Sequence, residues 1–173
     1  MSISDDETMI HKLKNAAARF ASGVTVVVSG RPGTVHAVTV SAFSFVSLEP
    51  PLVLVCVNAN SQIAALIDDS RAFTVNVLSE GQAATSERFA RPGREPMDVL
   101  DEPHHFSRTG VPILSEAVSY FDCEISSRQT AGDHALFIGR VLDAGARQVP
   151  PLVYFDRNYK ALAPLEHALN PRA

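Results

Sequence analysis

The sequence predicts a mainly β domain: an antiparallel barrel, closed or nearly closed, with a few helices at its periphery. Three observations lead there. Short apolar or alternating runs recur about seven times along the chain, clusters of Pro and Gly separate them, and only brief stretches space their apolar residues as a helix does. No internal repeat or composition shift marks a second domain, so the 173 residues form one unit with a core over about 15–162.

The first element is a predicted helix. Ser4-Asp5-Asp6-Glu7 has the form of a capping box, Ile10, Leu13, Ala17 and Phe20 make one apolar face, and Gly23 is placed to end it. Residues 24–28 are a nearly continuous β-branched run, Gly30-Arg31-Pro32-Gly33 is a turn, and Val35, Val38 and Val40 mark the returning strand of a hairpin. Residues 52–57 read as a buried strand, 63–69 as a short helix, 72–78 as a strand and 82–89 as a helix. Residues 91–112 dissolve into Pro, Gly, acids and His. A loop of about twenty residues suggests a lid or a dimer arm, with Val99, Leu100 and Phe106 as its apolar contacts. Residues 118–127 alternate, with Ser119, Phe121, Cys123 and Ile125 on one face and Tyr120, Asp122 and Glu124 on the other. Gly132-Asp133 then turns the chain into a strand over 134–142, and a last strand over 152–155 follows Pro150-Pro151.

Composition narrows the function. A hydrophobic fraction of 46% and a charged fraction of 20% are those of a folded domain. The net charge of −4, with basic residues scattered, argues against a nucleic-acid surface. No run is long and apolar enough for a membrane helix, and the acidic start is unlike a secretory signal, so the expected location is the cytoplasm. Cys56 and Cys123 are expected as buried free thiols, and no His or Cys spacing supports a metal site. Gly-x-Gly-x-x-Gly, Walker and Gly-x-Ser-x-Gly motifs are missing, which removes the usual signals for Rossmann, P-loop and serine-hydrolase chemistry.

What remains is a hydroxyl-rich first half. Thr39-Val40-Ser41-Ala42-Phe43-Ser44-Phe45-Val46-Ser47-Leu48-Glu49-Pro50-Pro51 leads into the apolar run from Leu52 and then Asn58-Ala59-Asn60-Ser61-Gln62. Ser61 precedes a short helix, where it reads either as a plain cap or as part of an anion site built on free backbone N–H groups.

The chain from about Phe20 to Ala161 resembles the flavin reductase-like family, the reductase components of two-component flavin-dependent monooxygenases. The resemblance rests on Phe20-Ala21-Ser22-Gly23-Val24-Thr25-Val26-Val27, Thr39-Val40-Ser41-Ala42-Phe43, Ser47-Leu48-Glu49-Pro50-Pro51-Leu52-Val53, Phe73-Thr74-Val75-Asn76-Val77-Leu78, Arg88-Phe89-Ala90, Gly132-Asp133-His134 and Pro151-Leu152-Val153-Tyr154-Phe155, in that order. It implies a split β-barrel of Greek-key type that forms a homodimer, reduces FMN or FAD with NADH or NADPH, and hands reduced flavin to a partner oxygenase. It also implies site residues. Thr39, Val40, Ser41 and Ala42 with Cys56, Val57 and Asn58 would line the isoalloxazine and ribityl chain. Ser47, Ser61 and Gln62 would approach the phosphate, Arg88 and Phe89 would close the site, and His134 would stand on the nicotinamide side. Tyr154 and Tyr159 are either stackers over the ligand or rim of the core. The alternatives are a flavin carrier or sensor that does not turn over, a pyridoxamine-phosphate-oxidase-like enzyme, which needs a more basic phosphate site, and a barrel that binds no small ligand.

Overall fold

A computed structural model describes residues 5–97 and 100–163. In chain order the elements are α1 (Asp5–Ala17), β1 (Ser22–Gly23), β2 (Thr25–Arg31), β3 (Thr34–Val40), β4 (Phe43–Leu48), β5 (Pro51–Asn58), α2 (Gln62–Ser70), β6 (Ala72–Val77), a short 3₁₀ turn Glu80–Gln82, α3 (Ala83–Ala90), β7 (His104–Phe106), β8 (Pro112–Leu114), β9 (Ser119–Ala131), β10 (His134–Ala146), β11 (Val153–Phe155) and β12 (Asn158–Lys160). Seven of the strands form one antiparallel sheet in the order β3-β2-β6-β9-β10-β5-β4, and β1-β11-β12 and β7-β8 make two small sheets beside it. The result is the mainly β split barrel that the sequence predicts.

The β-branched run of β2 is continuous because both its faces are covered. Val27 joins Val40, Val53, Val55, Val57, Phe73, Val75 and Phe137 inside the sheet, with Ile63, Ala64 and Ile67 of α2 among them. Val26 and Val28 face the other way, against Phe89 of α3, Leu100, Val111 and Leu114. Side chains that alternate across a strand thus both find apolar partners.

Residues 91–112 are more ordered than a connector. The N–H and C=O of Met97 both pair with Val35, each at 2.7 Å, β7 pairs with β8, and Leu100 is buried in this chain's own core. That overturns the reading of Leu100 as an arm contact, while Phe106 is exposed and Val99 lies outside the described residues. Buried polar groups fasten the segment. Thr74 Oγ1 donates to the Pro112 carbonyl at 2.7 Å, Leu114 N–H donates to Asn76 Oδ1 at 2.8 Å, and Asp122 accepts from the N–H and hydroxyl of Thr109 at 3.1 and 2.6 Å. Asp122 is therefore fully buried, although the alternation placed it on the face opposite Cys123, which is buried too. Burial and, secondarily, the Asp122 charge push the Cys123 thiol up to about 12.

The N-terminal helix ends at Ala17 through a tightening turn, and Gly23 belongs to β1 instead of stopping it. Ser4 of the expected capping box lies outside the described residues. The apolar residues Met9, Ile10 and Leu13 of α1 are exposed, as are Phe45, Val46 and Leu48 of β4. Strands β1, β4, β7, β8 and β12 are additions to the elements read from the sequence.

Packing is tight enough to predict a specific failure. A methyl group on Gly139 would come within 2.5 Å of the Phe73 ring and 2.8 Å of Cys123 Cβ, both fully buried, whereas one on Gly81 would meet nothing within 4 Å. Gly139→Ala should cost about 1–3 kcal/mol in urea unfolding and Gly81→Ala less than about 0.5 kcal/mol. Equal effects would show that the sheet yields at Gly139.

Candidate functional site

Three elements that the sheet brings side by side form a cavity of about 270 Å³, lined by Val38, Thr39, Val40, Ser41, Ala42, Cys56, Val57, Asn58, Ser61, Ile63 and His134. The end of β3, the end of β5 with the cap of α2, and the start of β10 meet there because His134 pairs with Asn58 in the β10–β5 register. Nine residues expected from the sequence thus converge, and Val38 and Ile63 join them. Ile63 escapes a search for polar or reactive groups because its contribution is an apolar floor.

Strand β3 is an edge of the main sheet, so one row of its backbone groups has no strand partner there. Met97 covers that row at Val35, and the stretch from Val38 to Ala42 opens onto the cavity. The Thr39 hydroxyl is not free for a ligand, since it donates to the Ser86 carbonyl at 2.7 Å. Backbone groups, not side-chain hydroxyls, are what this wall offers at Thr39.

The second wall is the start of α2. Ser61 is its N-cap in extended conformation, accepting from Ala64 N–H at 3.3 Å and donating to the Asn58 carbonyl at 2.6 Å. No acidic side chain occupies the first turn. With Ala64 N–H satisfied, the N–H groups of Gln62 and Ile63 are the remaining first-turn donors, and a helix start of this kind favours an anion. Ser61 caps the helix, and the turn it caps faces the cavity.

At the third wall His134 Nδ1 and Asp133 Oδ1 are 2.7 Å apart, and the Asp133 carbonyl accepts from Ala59 N–H at 2.9 Å, tying the β9–β10 turn to the cap region. The His134 hydrogen bond and then its charge hold the Asp133 carboxyl below the ordinary carboxylate range. Burial pushes the Cys56 thiol up, so it is a neutral apolar lining group near pH 7.

Six expected residues stand elsewhere. Ser47 accepts from Glu49 N–H at 3.2 Å at the irregular end of β4, and Gln62 donates its amide to Glu95 at 2.9 Å. Arg88 is held by Asp101 at 3.0 Å and by Glu102, and its neighbour Phe89 is 1% exposed within the core. Tyr159 donates to Ser86 Oγ at 2.8 Å and packs against the core. Tyr154 lines a second cavity of about 640 Å³, with Lys14, Ala17, Ala18, Phe20, Ser22 and Arg157. This cavity adjoins the first through Ser41 and Ala42, which line both.

Comparison with known proteins agrees with this architecture. The chain is 34% identical over 158 residues to the reductase component of a 4-nitrophenol 4-monooxygenase/4-nitrocatechol 2-monooxygenase from Rhodococcus opacus, covering 91% of this chain and 84% of that protein. It is 41% identical over 143 residues to an NADH flavin reductase from Kitasatospora aureofaciens, covering 80% and 74%. Among solved structures, the NADH:FAD oxidoreductase SgcE6 of Streptomyces globisporus, in complex with NAD and FAD fragments, superposes with a TM-score of 0.84 at 26% identity, covering 96% and 100%. The model of the flavin reductase like domain matches residues 17–163. With the sheet order, the open β3 edge and the motifs all in register, the chain belongs to the flavin reductase-like family.

Proposed function

We propose that this protein is an NAD(P)H:flavin oxidoreductase that reduces FMN or FAD and supplies the reduced flavin to a partner monooxygenase, and that the cavity between β3, the α2 cap and His134 is where the flavin lies. The observation that carries the placement is the convergence of an open strand edge, an apolar floor and an acid-free helix start. A planar ring with a hydrogen-bonding rim and an anionic tail fits that set of groups.

When both cofactors are bound, they supply the chemistry, a hydride passing from nicotinamide C4 to flavin N5. The chain's part is to bind and orient. Backbone groups from Val38 to Ala42 fix the ring edge, the N–H groups of Gln62 and Ile63 face the phosphate, and Val57 and Ile63 exclude water beneath it. His134 lines the cavity, and with Nδ1 held by Asp133 its Nε2 is the remaining hydrogen-bonding atom of the ring, to which we assign the positioning of the nicotinamide. No nucleophile is needed, which suits a lining whose thiol is neutral.

We also infer a homodimer acting in the cytoplasm. Phe20 and Phe45 line a further cavity with Ser41 and Phe43, so the exposed apolar residues of β4 run up to the flavin site. A second copy covering them and α1 supports a groove at the subunit interface. Free thiols at Cys56 and Cys123 suit a reducing compartment, and among the described residues no helix is long and apolar enough to cross a membrane.

Four measurements check this reading. Steady-state oxidation of NADH and NADPH against FMN, FAD and riboflavin should show turnover with at least one pair, on the order of 1–1000 per second; flavin binding without any turnover would favour a carrier. Ser61→Asp keeps a good cap but sets a carboxylate beside the phosphate, so FMN affinity should fall about tenfold or more while riboflavin affinity holds. Equal losses would reduce Ser61 to a cap. His134→Ala should lower kcat/KM for NADH about tenfold, or about 1.4 kcal/mol, with little change in the flavin dissociation constant. A lower melting temperature with unchanged NADH kinetics would make His134 a strand-end residue. Light scattering should return twice the 18.6 kDa chain mass, and a monomer that still reduces flavin would reject the shared groove.

A further inference from the structure

We propose that His36, in its neutral form, pins a strap over residues 94–97 onto β3, that this strap braces two walls of the flavin cavity against each other, and that acidification therefore loosens the grip on flavin. The inference rests on the flavin reading above and adds a positioning residue to it.

The strap reaches both walls. Met97 exchanges both backbone hydrogen bonds with Val35, each at 2.7 Å, three residues before the stretch of β3 that lines the cavity. Glu95 accepts from the Gln62 amide at 2.9 Å, at the first residue of α2. A short backbone thus ties the open strand edge to the helix start, and its docking fixes their separation. Arg94 anchors it further, lying over the Phe89 ring at 5.1 Å and reaching Met97 Sδ at 3.4 Å and Asp101 at 3.8 Å.

His36 stands next to Val35 on β3, opposite Ser29 of β2, and is only 8% exposed. Its Nδ1 is buried with no hydrogen-bond partner among the described residues. A neutral ring tolerates this as an empty acceptor. Protonation would add a buried charge beside Arg94 and a donor with nothing to receive it, and undocking the strap relieves both. Burial and then the Arg94 charge push the His36 pKa below 6.5, against a lesser pull from the Glu95 backbone and carboxylate. Other charges nearby are engaged with one another: Arg31 of β2 with Asp69 of α2 at 3.5 Å, and Asp68 of α2 with Arg128 at 3.1 Å. Helix α3, with Glu87 and Arg88, packs on the opposite face of β3, against Val35 and Ala37. The contribution of His36 to strap docking is complete above pH 6.5 and is lost as the pH falls from there toward its lowered native value.

Amide hydrogen exchange at Val35 and Met97, corrected for intrinsic rates, reads the strap directly. It is measured at about pH 7.5 and about pH 5.5, in wild type and in His36→Gln, with and without saturating FMN. Wild-type protection of both amides should fall about fivefold or more on acidification, whereas His36→Gln, which takes no charge, should stay within about twofold. The amides between β2 and β6 should hold in both proteins. Saturating FMN should raise strap protection about threefold or more in wild type at the lower pH, because a flavin that needs braced walls favours the docked strap. An equal fall in both proteins, or one shared by the β2–β6 amides, overturns the inference. So does strap protection unchanged by bound FMN, which leaves the reductase reading standing. Wild-type protein that binds no FMN at either pH overturns both. If His36→Gln does not fold, Arg94→Met decides: without the facing cation the fall should shrink, and an undiminished fall overturns the inference.

Discussion

The site depends on the register of β10 between its two neighbours. His134 lies opposite Asn58 on β5 and opposite Ala131 on β9, and the same register turns Ala135, Phe137 and Gly139 into the core. A slip of one residue would expose those three and bury their neighbours, so the core enforces the pairing. The tight approach of Gly139 to Phe73 and Cys123 sharpens it further. What places His134 beside the α2 cap is therefore not local to the turn; it is the packing of a strand thirteen residues long.

From that frame the rest follows by exposure and charge. The sheet leaves β3 at one edge; the segment through Met97 covers one end of that edge, and the cavity takes the other. The polar side chains Thr74, Asn76 and Asp122 hold the covering segment down, and each is buried and hydrogen-bonded. A ligand on this edge thus meets the Val38 to Ala42 stretch, where the carbonyls of Val40, Ser41 and Ala42 already accept from Thr25, Phe43 and Cys56.

The β2–β3 hairpin and the strand through Val53, Val55 and Val57 were legible in the sequence because β-branched runs between Gly and Pro turns have few other readings. The cavity walls were legible through family motifs, since Thr39 and Ser61 taken singly look like ordinary strand-end and cap residues. Arg88 and Phe89 show where such carrying-over stops. The Arg88 guanidinium lies over the Phe89 ring at 5.4 Å, and what holds the two away from the cavity, Asp101, Glu102 and the core, comes from other parts of the chain. Strand β12 carried no turn signal, because Asp156 and Arg157 adopt positive φ without glycine. The cavity at Lys14 and Arg157 was hidden for a similar reason: it forms only when that hairpin docks on α1. The apolar residues of α1 were visible, but the sequence could not show that this chain leaves them uncovered.

The most direct test of the account is a crystal structure of the protein with FMN bound. The account predicts the isoalloxazine edge along the backbone of Val38 to Ala42, the phosphate at the first turn of α2 beside Ser61, and His134 at the open face of the ring. FMN seated elsewhere, with the β3 edge and the α2 start both free of ligand, would contradict it.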